Sequence, residues 1–110
     1  MTVTAKEGAQ IELNLDVQNV NVKSVTGGIV RLAGSAENMN ASLGTGGILQ
    51  AKALQTEQTE ISISAGGDAE ITASELAEAS IRAGGNIKIY GHPKQVDKKT
   101  TLGGTIEVVN

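Results

Sequence analysis

A chain of 110 residues with a net charge of −3 and no cysteine has the length of one domain, and it excludes both a disulfide scaffold and any thiolate metal site. The acidic balance, with no Lys/Arg cluster beyond Lys98-Lys99, argues against nucleic-acid binding, which needs a basic footprint. Tyr90 is the only aromatic residue, against 14 glycines and an apolar stock of Ile, Val, Leu and Ala, a set that suits a thin layer between sheets better than a thick globular centre.

In chain order, Met1–Gly8 lacks the charged-then-apolar layout of a secretory signal, and no segment approaches the ~20 apolar residues of a membrane span. Taken alone, this describes a soluble cytosolic protein with no membrane insertion. Gly8-Ala9 then precedes Ile11-Glu12-Leu13, an apolar–polar–apolar triplet, and a second alternating stretch follows at Val20-Asn21-Val22-Lys23. Gly27-Gly28 opens the next copy, with Val30-Arg31-Leu32 and Met39-Asn40-Ala41-Ser42-Leu43. Gly46-Gly47 leads to Leu49-Gln50-Ala51 and Glu60-Ile61-Ser62-Ile63; Gly66-Gly67 leads to Ala69-Glu70-Ile71 and Ala79-Ser80-Ile81. Gly84-Gly85 leads to Ile87-Lys88-Ile89 and Val96-Asp97, and Gly103-Gly104 leads to Ile106-Glu107-Val108.

The five glycine pairs are separated by 19, 20, 18 and 19 residues, and a further step of 19 back from Gly27 lands on Gly8. Period-2 alternation marks strands with one face buried, so each unit reads as strand, turn, strand, glycine pair. A unit this short cannot bury its apolar face alone, whereas stacked identical units bury the columns as continuous ladders. The expected architecture is all-β: a single domain over residues 1–110, a parallel β-solenoid of about six ~19-residue coils. Six coils at one strand spacing each predict a rod on the order of 30 Å long. Stacking also sets Glu12 beside Arg31, and Lys88 between Glu70 and Glu107. The competing architecture is an antiparallel sandwich. Leu49–Glu57 and Ala73–Ser80 are rich in helix formers, so a helical turn over 74–78 is the competing local reading.

These residues resemble the putative auto-transporter adhesin, head GIN domain family of Bacteroidetes-type bacteria. The likeness rests on the strand–Gly-Gly–strand unit, as in Ile61-Ser-Ile-Ser-Ala-Gly-Gly-Asp68, and on the mid-unit step Leu76-Ala-Glu-Ala-Ser-Ile81. It rests further on the ending Ile87-Lys-Ile-Tyr-Gly-His-Pro-Lys-Gln-Val96, followed by Gly103-Gly-Thr-Ile106. The family has Gly-Ser-Gly where this chain has Gly-Gly, a departure that leaves the turn logic intact. The resemblance implies a right-handed β-helix and an exported protein of the periplasm or cell surface. It also implies a chain shortened at its N-terminus, or the C-terminal part of a longer exported protein. It supplies no catalytic or ligand residues.

The candidate sites have bland explanations. His92, in the turn Gly91-His92-Pro93, has no second His or Cys for a metal site, and no base is available to pair it with a nucleophile. Gly44-Thr-Gly-Gly47 lacks the Lys-Ser/Thr of a phosphate-binding loop. Asp68 is the only acid at its repeat position, where the others are Ile29, Ile48, Asn86 and Thr105, so no repeated calcium cage forms. Glu60 and Glu78 are carboxylates of the type glycosidases use. The expected outer face of the second strand set carries Asn21, Asn40, Glu60, Glu78 and Asp97, and beside them Lys23, Ser42, Ser62, Ser80 and Lys99. The reading is a non-catalytic module with no metal and no cofactor, presenting solenoid faces to a protein or glycan. Alternatives are a self-assembling scaffold, pairing through the strand edge at Thr105–Asn110, and, remotely, a carbohydrate-active β-helix enzyme.

Overall fold

The computed structural model describes residues 2–100 and 103–109. Its regular elements are β1 (Thr2–Ala5), β2 (Gln10–Ser24), β3 (Ile29–Leu43), β4 (Ile48–Ile63), β5 (Gly67–Ile81), β6 (Gly85–Tyr90), β7 (Gln95–Thr100) and β8 (Thr105–Val108). The strands follow one another in the order β1-β2-β3-β4-β5-β6-β8, with β7 on β5 beside β6. Every pairing is parallel. Ile71 is the direct neighbour of Ile89, and the column Ile11, Val30, Leu49, Ala69, Ile87, Ile106 runs unbroken through the stack. This is a β-solenoid of about six turns, not an antiparallel sandwich.

Each coil is more continuous than strand–turn–strand. In β3 the in–out alternation holds over Ile29–Ala33, then breaks at Gly34-Ser35 and again at Glu37-Asn38, where successive residues both face outward. Two outward residues in a row turn the chain by a corner while its ladder to the next coil persists. A coil therefore has three straight runs. The first covers Ile29–Ala33 and its equivalents, the second is the short stretch at Ser35–Glu37, and the third covers Asn38–Leu43. Ser74-Glu75, where a helical turn competed, is such a double-outward corner within β5. The ladders that flank it, ending at Thr72 and Ala73 and resuming at Leu76, override the helix preference of that segment, which is a weak bias per residue.

The glycine pair closes the third corner, and its two members do different work. Gly66 has φ +68 with nothing within 4 Å of a would-be Cβ, so it supplies a left-handed conformation. Gly67 follows, and a Cβ there would lie 2.9 Å from the Gly47 carbonyl oxygen of the preceding coil, so it supplies close approach. In the first copy the second position is Ala9, which is exposed, and among the described residues no preceding coil crowds it. That is why Gly-Ala serves at this corner alone.

The interior is made of aliphatic columns, with Val30, Leu49, Leu54, Ile61, Ile71, Ile81, Ile87 and Ile89 fully buried. Three buried polar residues are satisfied internally. Ser24 Oγ donates to the Gly28 carbonyl at 2.6 Å. Thr56 Oγ1 donates to the Thr72 carbonyl at 2.6 Å, which uses its single proton, so the Thr59 hydroxyl, 2.5 Å away, donates to Thr56. The molecule measures 28 × 27 × 19 Å, a squat block instead of a slender rod, because a three-sided coil is about as wide as the stack is tall.

Unequal coil lengths are absorbed at the two corners that flank the second run, the later one being where Glu57 of β4 stands against Ser74-Glu75 of β5. Arg31 pairs with Gln50 but Ala33 with Ala53, so β4 bulges outward by one residue against β3. Between β4 and β5, Ala51 pairs with Ile71 and then Gln55 with Thr72. Lys52–Leu54 thus have no partners in β5. The gap is bridged by Thr72 Oγ1 donating to the Lys52 carbonyl at 2.7 Å and filled by the buried side chain of Leu54. The column of Leu32 and Ala51 is interrupted here, whereas Ala51, Ile71, Ile89 and Val108 stay aligned.

Candidate functional site

The third run is the one part of the coil whose register never shifts. Thr2–Ala5, Asn21–Ser24, Asn40–Leu43, Glu60–Ile63, Glu78–Ile81 and Asp97–Thr100 stack position for position. Inward side chains alternate with outward ones along each strand, so the aliphatic layer beneath holds the outer surface flat. The outward columns are those expected: Asn21, Asn40, Glu60, Glu78, Asp97 in one, and Lys23, Ser42, Ser62, Ser80, Lys99 in the next. A third column at the corner carries Asn19, Asn38, Gln58, Leu76 and Gln95, where Asn38 Nδ2 donates to Asn19 Oδ1 at 3.0 Å. Six strands of about six residues give a face of roughly 25 by 20 Å, or ~500 Å².

The remaining candidates fall into place one by one. Glu60 and Glu78 are register neighbours on this flat face, so they stand on the same side of any bound sugar. Glycosidases instead flank the scissile bond with their two carboxylates, and this pair does not. His92 is exposed on a left-handed residue (φ +53). In Gly44-Thr-Gly-Gly47, Gly44 N donates to the Ser24 carbonyl, Gly46 N to Ala65 and Gly47 N to Gly44. These N–H groups are engaged by carbonyls and do not form a phosphate cradle. Asp68 accepts from Asn86 Nδ2 at 3.1 Å. Among the described residues no group of three His, Cys, Asp or Glu could hold a metal ion.

The charge column of the first run has the expected order, with Glu12 beside Arg31 and Lys88 between Glu70 and Glu107. The Arg31 guanidinium nevertheless turns to Gln50, with Nε donating to Oε1 at 3.0 Å. The ion pair formed among the described residues is Lys94–Glu75, at 3.5 Å on the exposed surface.

One surface was not anticipated. The short second run forms a groove of about 650 Å³ along the stack, with Asp16, Ser35, Gln55, Glu37 and Glu57 on its walls and Gly91 at one end. Detecting it required locating both outward corners of each coil. The signal was available in Gly34-Ser35 and Glu37-Asn38, each breaking the alternation, but it reads as a turn when two strands per coil are assumed.

Residues 1–93 match the family described as putative auto-transporter adhesin, head GIN domain. The chain belongs to this family. Among solved structures, it is similar to a putative adhesin from Bacteroides fragilis NCTC 9343, with a TM-score of 0.79 at 25% identity. That alignment covers 98% of this chain and 56% of the other, so the chain spans little more than half the length of that adhesin. No curated protein matches the sequence. Membership in the head GIN domain family supports an adhesin-like role and an extracellular or envelope setting.

Proposed function

We propose that the protein is an exported, non-catalytic interaction module that presents the flat third-run face to a macromolecular partner. The observation that carries this reading is the unbroken register of that face, against a first and second run that absorb every change in coil length. A surface held constant while its surroundings vary is suited to recognition. Its chemistry of amides, hydroxyls, a row of three acids and a lysine at either end matches a polar, hydrogen-bonding partner surface, either protein or glycan. It lacks the aromatic platform on which sugar rings stack, which favours protein.

The area sets the mode of binding. About 500 Å² is well below the ~800 Å² per partner of a standard stable interface, so one copy binds weakly. Adhesion then depends on many copies engaging together, where avidity multiplies affinity by roughly 10²–10⁴. The test is retention of chain-coated beads, against free chain, on glycan arrays and on immobilised extracellular proteins. Bead binding should exceed free binding, and Ser62→Arg on the face should abolish it while Gln50→Arg on the first run leaves it intact. Equal loss with both variants, or no retention of the beads on any surface, would refute the reading.

A further inference from the structure

The first run carries charges in an order that its own chain leaves unused. Its central outward column reads Glu12, Arg31, Gln50, Glu70, Lys88 and Glu107 from coil to coil. Opposite charges are register neighbours there, yet they form no ion pair; among the described residues the pair present is Lys94–Glu75. Arg31 uses Nε on Gln50 Oε1, and the other N–H groups of its guanidinium have no partner among the described residues. On one side of this column Ile29 and Ile48 face outward, half-buried, and on the other stand Ala33 and Ala53. The middle of the face is therefore apolar around Gln50, with charges above and below it along the stack.

We propose that this face pairs with the same face of a second copy of the chain, about a two-fold axis running along the strand that carries Gln50. Such an axis reverses the order of the coils and keeps the order of the columns, so the charged column meets itself backwards. Glu12 then faces Lys88 of the second copy and Arg31 faces Glu70, and symmetry makes each contact twice. Gln50 meets Gln50 at the axis, flanked by Ile48 on Ile48 and Ala53 on Ala53, which gives the apolar centre and charged rim of an ordinary interface. Charge selects this register. With the axis half a coil further on, Glu12 would meet Glu107 and Arg31 would meet Lys88; half a coil back, Glu12 would meet Glu70. An axis along the stack would set each residue of the column against its own copy, Glu on Glu and Arg on Arg. Like charges face to face in an interface are strongly unfavourable. Among registers that overlap five coils or more, only the one through Gln50 makes every charged contact attractive. The contact uses the sides of the coils and neither end of the stack.

Five coils by five residues of strand give about 24 by 16 Å, or ~400 Å² on each copy. That is about half of one partner's share in a standard stable interface, so the expected Kd is on the order of 0.1–1 mM. Sedimentation equilibrium of the 110-residue chain up to about 2 mM should show the mass rising from 11.2 kDa toward twice that value. Salt at about 1 M, where charges are screened beyond ~3 Å, should weaken pairing. Arg31→Glu and Glu70→Arg should each weaken it at least about tenfold, since either reversal turns two attractive contacts into repulsive ones. An equimolar mixture of the two variants should pair again, because Glu at 31 of one then faces Arg at 70 of the other, and the double variant should pair with itself. Recovery in the mixture arises only between chains, so a merely structural role for these residues would not produce it. If either reversal loses the parent's β signal in circular dichroism, Glu12→Lys and Lys88→Glu make the same comparison through the outer pair. Ser62→Arg on the flat face should leave pairing unchanged, so this inference and the recognition reading fail separately. Gln50→Arg, which sets two guanidinium groups together at the axis, should weaken pairing, while beads already crowded with copies keep their avidity. A parent that stays monomeric, pairing unmoved by salt or by the single reversals, or a mixture that fails to recover would each overturn the proposal.

Discussion

Gly34 offers the sharpest test of the stacked-coil geometry. It is not part of a glycine pair, yet it sits at an outward corner with φ +110, and a Cβ built there would fall 1.9 Å from the Leu15 carbonyl oxygen of the preceding coil. The Leu15 carbonyl carbon and nitrogen would lie only 2.9 and 3.0 Å away, so no rotation of a single side chain relieves the overlap. In Gly34→Ala the two coils must part locally by about 1.5 Å, roughly a third of the strand spacing. The backbone conformation costs an alanine about 1–3 kcal/mol. Overpacking adds about 1–3 kcal/mol, and a weakened ladder bond adds about 1 kcal/mol. The sum is about 3–7 kcal/mol, which for a domain of this size lowers Tm by roughly 15–35 °C. Gly66→Ala is the control: φ is +68 with open space around the new methyl, so the backbone term alone of about 1–2 kcal/mol applies, or roughly 5–10 °C. Thermal melts followed by circular dichroism, with urea titrations for the free energies, measure both. A Gly34→Ala variant that melts with or above Gly66→Ala would refute the claim that neighbouring coils meet backbone to backbone at this corner.

Three further outcomes follow from the interior and the surface. Ile71→Ala, which truncates a fully buried side chain between Ala51 and Ile89, should destabilise by about 2–5 kcal/mol in urea unfolding. Thr56→Val removes the acceptor of the buried Thr59 hydroxyl and should cost about 1–3 kcal/mol. Adding Thr59→Val should recover part of that loss, because no orphaned hydroxyl remains; full additivity in the double-mutant cycle would contradict the assigned donor direction. Lys94→Ala, which breaks the exposed pair with Glu75, should change stability by less than about 1 kcal/mol in the same assay.

How much of this was legible in the residues follows from how each feature is encoded. The glycine pairs recur at near-constant spacing, and that alone aligned the column of Ile11 with its equivalents and placed the outward columns from Asn21 to Asp97. Corners were less legible. Glu37-Asn38 and Ser74-Glu75 carry no Gly or Pro, since a corner with ladders before and after it needs only two outward residues in succession. The placement of the extra residue in the 20-residue coil was also hidden. Ala51 aligns with Leu32 by spacing, but Ala33 pairs with Ala53, a choice made by Leu54 filling the interior. Helix-forming composition at Ala73–Ser80 competed with the strand reading and lost, because local preference is small against a ladder shared with two neighbours.

These two kinds of feature divide the coil into a constant part and a variable part, and the division bears on function. Inward positions of the third run are buried in every coil up to Ala79 and Ile81, which keeps strand spacing uniform and the outer columns straight. Length changes enter instead at the two corners that flank the second run, and at the first of them Lys52 projects and stands over the Tyr90 ring, its Nζ 4.6 Å from the centroid. An insertion there alters the second-run groove and leaves the broad face untouched. The same solenoid can therefore change the shape of one surface without disturbing another. The rows of Asn, Ser and Glu on that broad face therefore stay in register along the side of the stack, whatever the length of the corners.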